Sequence, residues 1–590
     1  MSAKRQSAIA LFTLATALIA VAATPAARRE LSADEQAIHV LHRLAFGPRP
    51  GDVEKVKSIG VDRWIAQQLD PQSVRNDVND RLIAGAFPAV NSSARELFAA
   101  APPANAVRRQ ARMRDSMLTR ADSQMIREAA REARAVLGDV VAARVARAVG
   151  SERQLEEVMV DFWLNHFTVF AGKNVVRYYI ADYEREAIRP HALGKFRDLL
   201  GTVAKSPAML LYLDNAQSVA DSTQPTLGGR PGRGALRGRL ARRPQAAARL
   251  DTLRARMPRG LNENYARELL ELHTLGVDGG YRQQDVIEVA RALTGWTVPF
   301  ARRGAEGFRF VPSLHDAGEK RVLGHRLRAG RGVEDGEDVL NIVSRHPATA
   351  RYIARKLAVR FVSDSPPPAL VERAAAAFTR TDGDMREVVR TIVTSDEFFS
   401  RAAFRAKVKS PFEVVTSAMR ALGATPDTTP RTAGVVALLG QPIYGHQAPN
   451  GWPETGEAWL NTGSILNRIN FALATAAGRI PGGSARAWAG DSIARMSRDA
   501  QIDIVVATLL NGHASAATRE ILATGRNPLL ERAAADSASP PNNAPATEMG
   551  TTELRPFLNR RGGGLGAPPK LTGIAQVVGL ALGSPEFQRR

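Results

Sequence analysis

Histidines 166 and 273 stand where a helix should bury apolar side chains, and a buried neutral imidazole is a natural ligand for zinc, copper or iron. In GLNENYARELLELHTLGVDGGY, residues 260 to 281, Asn262 is placed to cap a helix, Glu263 suits its positive end and Gly276 supplies the stop. At about 100° per residue, Tyr265, Ala266, Leu269, Leu270 and Leu272 fill an arc of roughly 180° to 340° from Glu263, and His273 falls inside it at about 280°. Glu263, Arg267 and Glu271 step along the opposite side as an ion-pair ladder, while Glu268 borders both faces. Gln154 to Phe167 repeats the pattern: Val158, Met159, Phe162 and Trp163 form an apolar stripe with His166 at its centre and Asp161 and Asn165 on its polar edge. Two inward histidines on separate helices predict either a transition-metal site, completed by Glu268, Asp161, His315 or His346, or a shared buried polar network. Neither H-E-x-x-H nor E-x-x-H spacing occurs.

Three further groups carry chemistry. His315 and Asp316, in RFVPSLHDAGEK, read either as an acid–base couple at a cleft mouth or as a turn. His346, before Pro347, is placed to cap a helix. GQPIYGHQAPNGWPETGEAW, residues 440 to 459, gathers Tyr444, His446, Trp452 and Trp459, which either grip a sugar or apolar ligand or pin their own loop. No G-x-S-x-G elbow supports a serine nucleophile; Ser206-Pro207 and Ser410-Pro411 read as helix starts.

The elements that must position these residues are mainly helical. Helices are expected over Ala33 to Phe46, Gln154 to Phe170, from Asn262, from Gln283, and over Pro347 to Val362, Ala369 to Phe378, Met385 to Ser395 and Ile574 to Leu582, with one short strand at Phe308 to Val311. Arg108 to Arg147, rich in Arg and Ala, predicts a long exposed helix or helix pair with a solvated face. The expected fold is a multi-helix globular protein with few short strands. Its regions are a signal peptide (1–28), an N-terminal helical region (29–215), a Gly/Pro/Arg-rich flexible insert (216–260), a second helical region (261–535), a polar linker (536–552) and a C-terminal helical tail (553–590).

Composition narrows the address and the chemistry. Lys4 and Arg5, an apolar run from Ala8 to Ala23, and Ala20-Val21-Ala22 make a Sec-type signal, so a periplasmic or secreted location is expected, with cleavage favoured over retention as an anchor. No later run is long and apolar enough for a span. Cysteine is absent, which excludes disulfides, a cysteine-linked lipid and thiolate ligation; any metal must be held by His, Asp, Glu or backbone oxygen. The formal charge of +21 would suit nucleic acid, but the expected address argues against it. Between Ala220 and Arg259 ten arginines face only Asp221 and Asp251, so much of the excess is local and better suited to an anionic polysaccharide or lipid surface.

HRLAFGPRPGDVEKVKSIGVDRWIAQQLDP, FWLNHFTVF, ALGKFRDLLGTVAKSPAMLLYLDN, LNENYARELLELHTLGVDGGY, ARALTGWT, HDAGEKRVLG, HPATARYIARKLAVRFVSD and LGSPEFQRR occur in that order. Together they resemble the bacterial family called domain of unknown function 1800, over about Ala37 to Arg590 except the basic insert and the Arg/Ala-rich stretch. The resemblance implies an exported, largely helical protein and no particular reaction. It also implies a partner, an exported sulfatase-like protein of the family called domain of unknown function 1501. Two functions stay open: a metal-dependent envelope enzyme built on His166 and His273, and a non-catalytic binding or assembly protein that holds a polysaccharide or an exported partner.

Overall fold

The computed structural model describes residues 29–115, 117–227, 260–298, 307–537 and 569–590. The signal segment, most of the basic insert and most of the 536–552 linker lie outside the described residues. Within them the chain is mainly helical, and its strands are two short antiparallel pairs, Trp296–Thr297 with Arg309–Phe310 and Lys320–Val322 with His325–Leu327. The expected strand at 308–311 is thus present in part. Among the described residues no helix is long and apolar enough to cross a membrane.

Capping sets many of the helix starts. Ser32, Thr119 and Ser410 each accept the N–H of the third helical residue, and Glu35, Asp122 and Glu413 return a bond to the cap backbone. The helices Ala33–Arg43, Gln154–His166, Pro347–Phe361 and Gly573–Leu582 begin and end close to where periodicity places them. One reading changes. Arg120–Gly150 is a single helix whose first half is exposed at Arg127, Glu128, Arg131 and Glu132, but Val136, Leu137, Val140, Val141, Val145 and Val149 are buried. The expected solvated face therefore covers only part of it. Alanine made the second half look weakly apolar, yet small side chains are what allow neighbouring helices to approach closely there.

One hydrophobic cluster runs from Leu31 to Phe587, so the 29–215, 261–535 and C-terminal regions share a core. A smaller cluster of Ile83, Phe87 and Val90 packs on Ala142, Ala143 and Ala146. At the other end, helices Thr462–Ala476, Arg498–Leu509, Ala516–Thr524 and Gly573–Leu582 lie together, the last packed closely on the first. Residues 407–409 and 588–590 run antiparallel, joined by Lys407 N–H to Arg590 O, Arg590 N–H to Lys407 O and Lys409 N–H to Gln588 O.

Candidate functional site

The two histidines do meet. The helix Glu263–Leu270 is capped by Asn262, whose side chain accepts the Asn264 N–H, and then widens into a π-helical turn, Glu271–Leu275, that carries His273. Gly276 ends it at φ +82°; a Cβ here would stand 2.9 Å from the ring of Tyr352, so glycine permits the Pro347–Phe361 helix to close against the turn. The ring centroids of His166 and His273 are 6.4 Å apart, and each residue is 2% exposed. His166 Nε2 lies 3.1 Å from the carbonyl oxygen of His273. A carbonyl only accepts, so Nε2 carries the proton and Nδ1 holds the lone pair. That lone pair faces Lys356 Nζ at 3.0 Å.

Burial and the neighbouring Lys356 charge hold both imidazoles neutral, His166 well below the usual range and His273 at about 3. Burial likewise pulls Lys356 down to about 8. His273 Nε2 is buried without a hydrogen-bond partner. The result is a relay, Lys356 to His166 to the His273 carbonyl, walled by Phe162, Phe167 and Tyr352.

The other metal candidates lie apart from this pair in their bonding. No hydrogen bond or ion pair joins Glu268 to either histidine; its carboxyl is pushed up by burial and by Glu271. Glu263 and Arg267 pair at 3.5 Å as the ladder requires, but Glu271 accepts from Tyr281 instead. His346 caps its helix by accepting the Ala348 N–H. Among the described residues no three His, Asp or Glu side chains are grouped to hold a metal ion. His315 and Asp316 are fully buried: His315 Nδ1 donates to Thr294 O at 2.8 Å, and Asp316 pairs with Arg291 at 2.8 Å. They brace the strand pairs and line no cleft mouth, because Lys320, Asp335 and Arg291 close around them.

Asp161, on the polar edge of the His166 helix, belongs to a second centre. It pairs with Arg144 and, at 3.2 Å, with Arg360. Arg360 also reaches Glu413 at 3.2 Å and Glu454 at 3.3 Å, and Arg590 reaches Glu413 at 3.0 Å. Burial raises the Asp161 carboxyl, whereas Arg590 and Arg360 hold Glu413 down to about 2 against its own burial. This network floors a cleft whose rim is the 440–459 loop. Trp452 and His446 are half-buried with ring centroids 4.5 Å apart, and Trp459 follows at 6.0 Å. Asn165 pins the loop from below, donating to Trp452 O and accepting the Trp452 N–H at 2.8 and 2.7 Å. Gly451, at φ +72°, makes that approach possible: a Cβ would lie 2.2 Å from Asn165 O. Of the four expected binding side chains, Tyr444 and Trp459 are largely structural. Tyr444 is buried at φ +56° with its hydroxyl donated to Glu184, and Trp459 Nε1 donates to Pro453 O.

Lys356, Arg360, Glu413, Glu454 and Arg590 were not anticipated as site residues. A signal existed for two: Ile353, Lys356, Leu357 and Arg360 share one helix face at spacing i, i+3, i+4, i+7, so two cations occupy core positions.

Neither the curated proteins nor the solved structures provide a match. The family model described as "Protein of unknown function (DUF1800)" matches residues 39–589, nearly the whole chain, and the protein belongs to that family.

Proposed function

We propose that the protein is an exported, non-catalytic binding protein whose aromatic rim, Trp452 beside His446, grips saccharide units of an envelope polysaccharide. The supporting observation is that these two rings stay half-exposed on a loop fastened rigidly to the His166 helix. Apolar ring faces next to charged groups suit a sugar, which offers C–H faces and hydroxyls together. The enclosed space beneath the rim is about 40 Å³, room for water only, so the ligand lies across the rings. Binding is favoured over hydrolysis because a carboxylate pair acting as acid and base must be free to exchange protons with substrate. Here Arg360 engages Asp161, Glu413 and Glu454 together.

Titration of the folded chain with neutral and acidic oligosaccharides, followed by tryptophan fluorescence, tests this reading. Saturable binding weakened about tenfold in Trp452→Ala is expected, a loss of about 1.4 kcal/mol. Absence of binding to every saccharide at millimolar concentration would sink it. The metal-enzyme reading keeps one observation in its favour, the unpartnered His273 Nε2. It requires Lys356 to release His166 Nδ1, and elemental analysis of the wild type beside the His166→Ala, His273→Ala double variant decides it.

A further inference from the structure

Arg468 sits on the inner face of the Thr462–Ala476 helix, 2% exposed. Its Nη1 donates to Gln588 Oε1 at 3.0 Å, but Nε and Nη2 have no hydrogen-bond partner. A buried cation with unmet donors costs free energy that nothing nearby returns. Glu413, the acid that most influences it, is already claimed by Arg360 and Arg590. Nε and Nη2 are also the two nitrogens on one edge of the guanidinium plane, whose N–H bonds run parallel and match the two oxygens of a carboxylate.

Arg468 lines a cavity of about 410 Å³. Its walls are otherwise largely apolar: Ile465 and Ile469 one turn apart, Ile521, Leu529 and Leu580. Among the described residues no acidic side chain lines it, Arg589 adds a second, exposed cation, and Leu460 and Leu529 are 45% and 43% exposed. A cavity of this size with largely apolar walls and a few polar groups, two of them cationic, is the form of a site for a small amphiphile.

We propose that this cavity binds a single-chain fatty carboxylate, its chain between Ile465, Ile469, Ile521 and Leu580 and its head at the wall formed by Arg468, whose Nε and Nη2 edge, closed to solvent in the free protein, turns to meet it. The site is separate from the aromatic rim, and its test does not depend on saccharide binding. The charge complementarity selects the occupant: a neutral lipid would leave both N–H groups unmet.

Calorimetric titration of the full chain, prepared without detergent, with laurate and with dodecanol distinguishes the outcomes. Laurate is expected to bind at one site at least tenfold more tightly than dodecanol. Arg468→Gln should bring the two ligands to within about threefold of each other, and Ile469→Trp, which fills the cavity, should abolish both while leaving the thermal transition cooperative. The inference is overturned if laurate does not bind, whether or not this chain or a second copy fills the cavity. It is equally overturned if laurate and dodecanol bind the wild type alike, or if laurate affinity survives Ile469→Trp. Should Arg468→Gln fail to fold, the wild-type comparison and Ile469→Trp still decide.

Discussion

His273 shows what a buried titratable group does to stability. Its folded pKa of about 3 lies below the ordinary 6.5, so between those values the unfolded chain binds more protons than the folded one. Its unfavourable contribution is absent above pH 6.5 and grows as pH falls toward 3. Because Nε2 has no partner, His273→Leu is expected to cost less than about 1 kcal/mol at pH 7 and to resist acid better than the wild type. Urea unfolding at pH 7 and pH 4.5 checks this; a loss above about 3 kcal/mol at pH 7 would show that the imidazole is bonded after all. Lys356 acts with the same sign in a higher window. Its folded pKa of about 8 lies below 10.5, so this residue's contribution improves as pH rises from 8 to 10.5. Reductive methylation with a ¹³C label should find two lysines titrating near 8, Lys356 and Lys407, of which Lys356→Met removes one, and an unshifted signal in place of the one removed would contradict the buried relay. His166 and His273 were legible as inward residues because periodicity reports facing. Lys356 and Arg360 sat on an equally clear stripe but drew no reading, since periodicity gives direction and not the partner that makes a buried cation tolerable.

Among elements, the 440–459 loop is held from several sides, by Asn165, Glu184, Tyr212, Asp364 and Arg360. Its glycines, prolines and aromatics marked it in the sequence, but the roles of its four aromatic side chains did not separate until Asn165 and Glu184 supplied the polar ends. Gly451→Ala forces a Cβ into Asn165 O at an unfavourable φ, and we expect a loss of about 2 kcal/mol or more together with release of the rim. Hydrogen exchange should rise across residues 446 to 459 and stay unchanged in the Gln154–His166 helix; uniform change would mean global unfolding. The same loop delivers Glu454 to Arg360. On the Pro411–Ala421 helix, Glu413 serves twice, as the return partner in the Ser410 capping box and as counter-ion to Arg360 and Arg590. Sequence pattern displayed only the first role. Glu413→Gln keeps a capping acceptor but leaves two buried guanidinium groups short of charge, with an expected cost of about 3–5 kcal/mol in chemical denaturation. A loss below about 1 kcal/mol would show that Asp161 and Glu454 suffice.

At the scale of the molecule, helix content and the order of motifs were readable, but the sharing of one core was not. Pattern within a segment says which face is buried and nothing about what buries it, so the 29–215, 261–535 and C-terminal regions looked separable. Contacts across the chain are long: Arg401 with Glu35, Asn511 with His42, and Arg405 with the carbonyl of Glu586, the last spanning 181 residues. Removing residues 573–590 is therefore expected to abolish cooperative unfolding of the rest, read by calorimetry, since Val577, Leu580, Leu582 and Phe587 belong to the common core.

The antiparallel pairing of 407–409 with 588–590 also has a meaning in time. Arg590 completes the charge balance of Glu413 at the floor of the cleft, and Gln588 supports Arg468 at the wall of the cavity. Neither centre can close while residues near 588 are still being synthesised, however long the earlier helices have been available. Distant contacts of this kind slow the last steps of folding. For the export proposed above that delay is useful, because a polypeptide threading a translocation pore must arrive on the far side before its core is sealed.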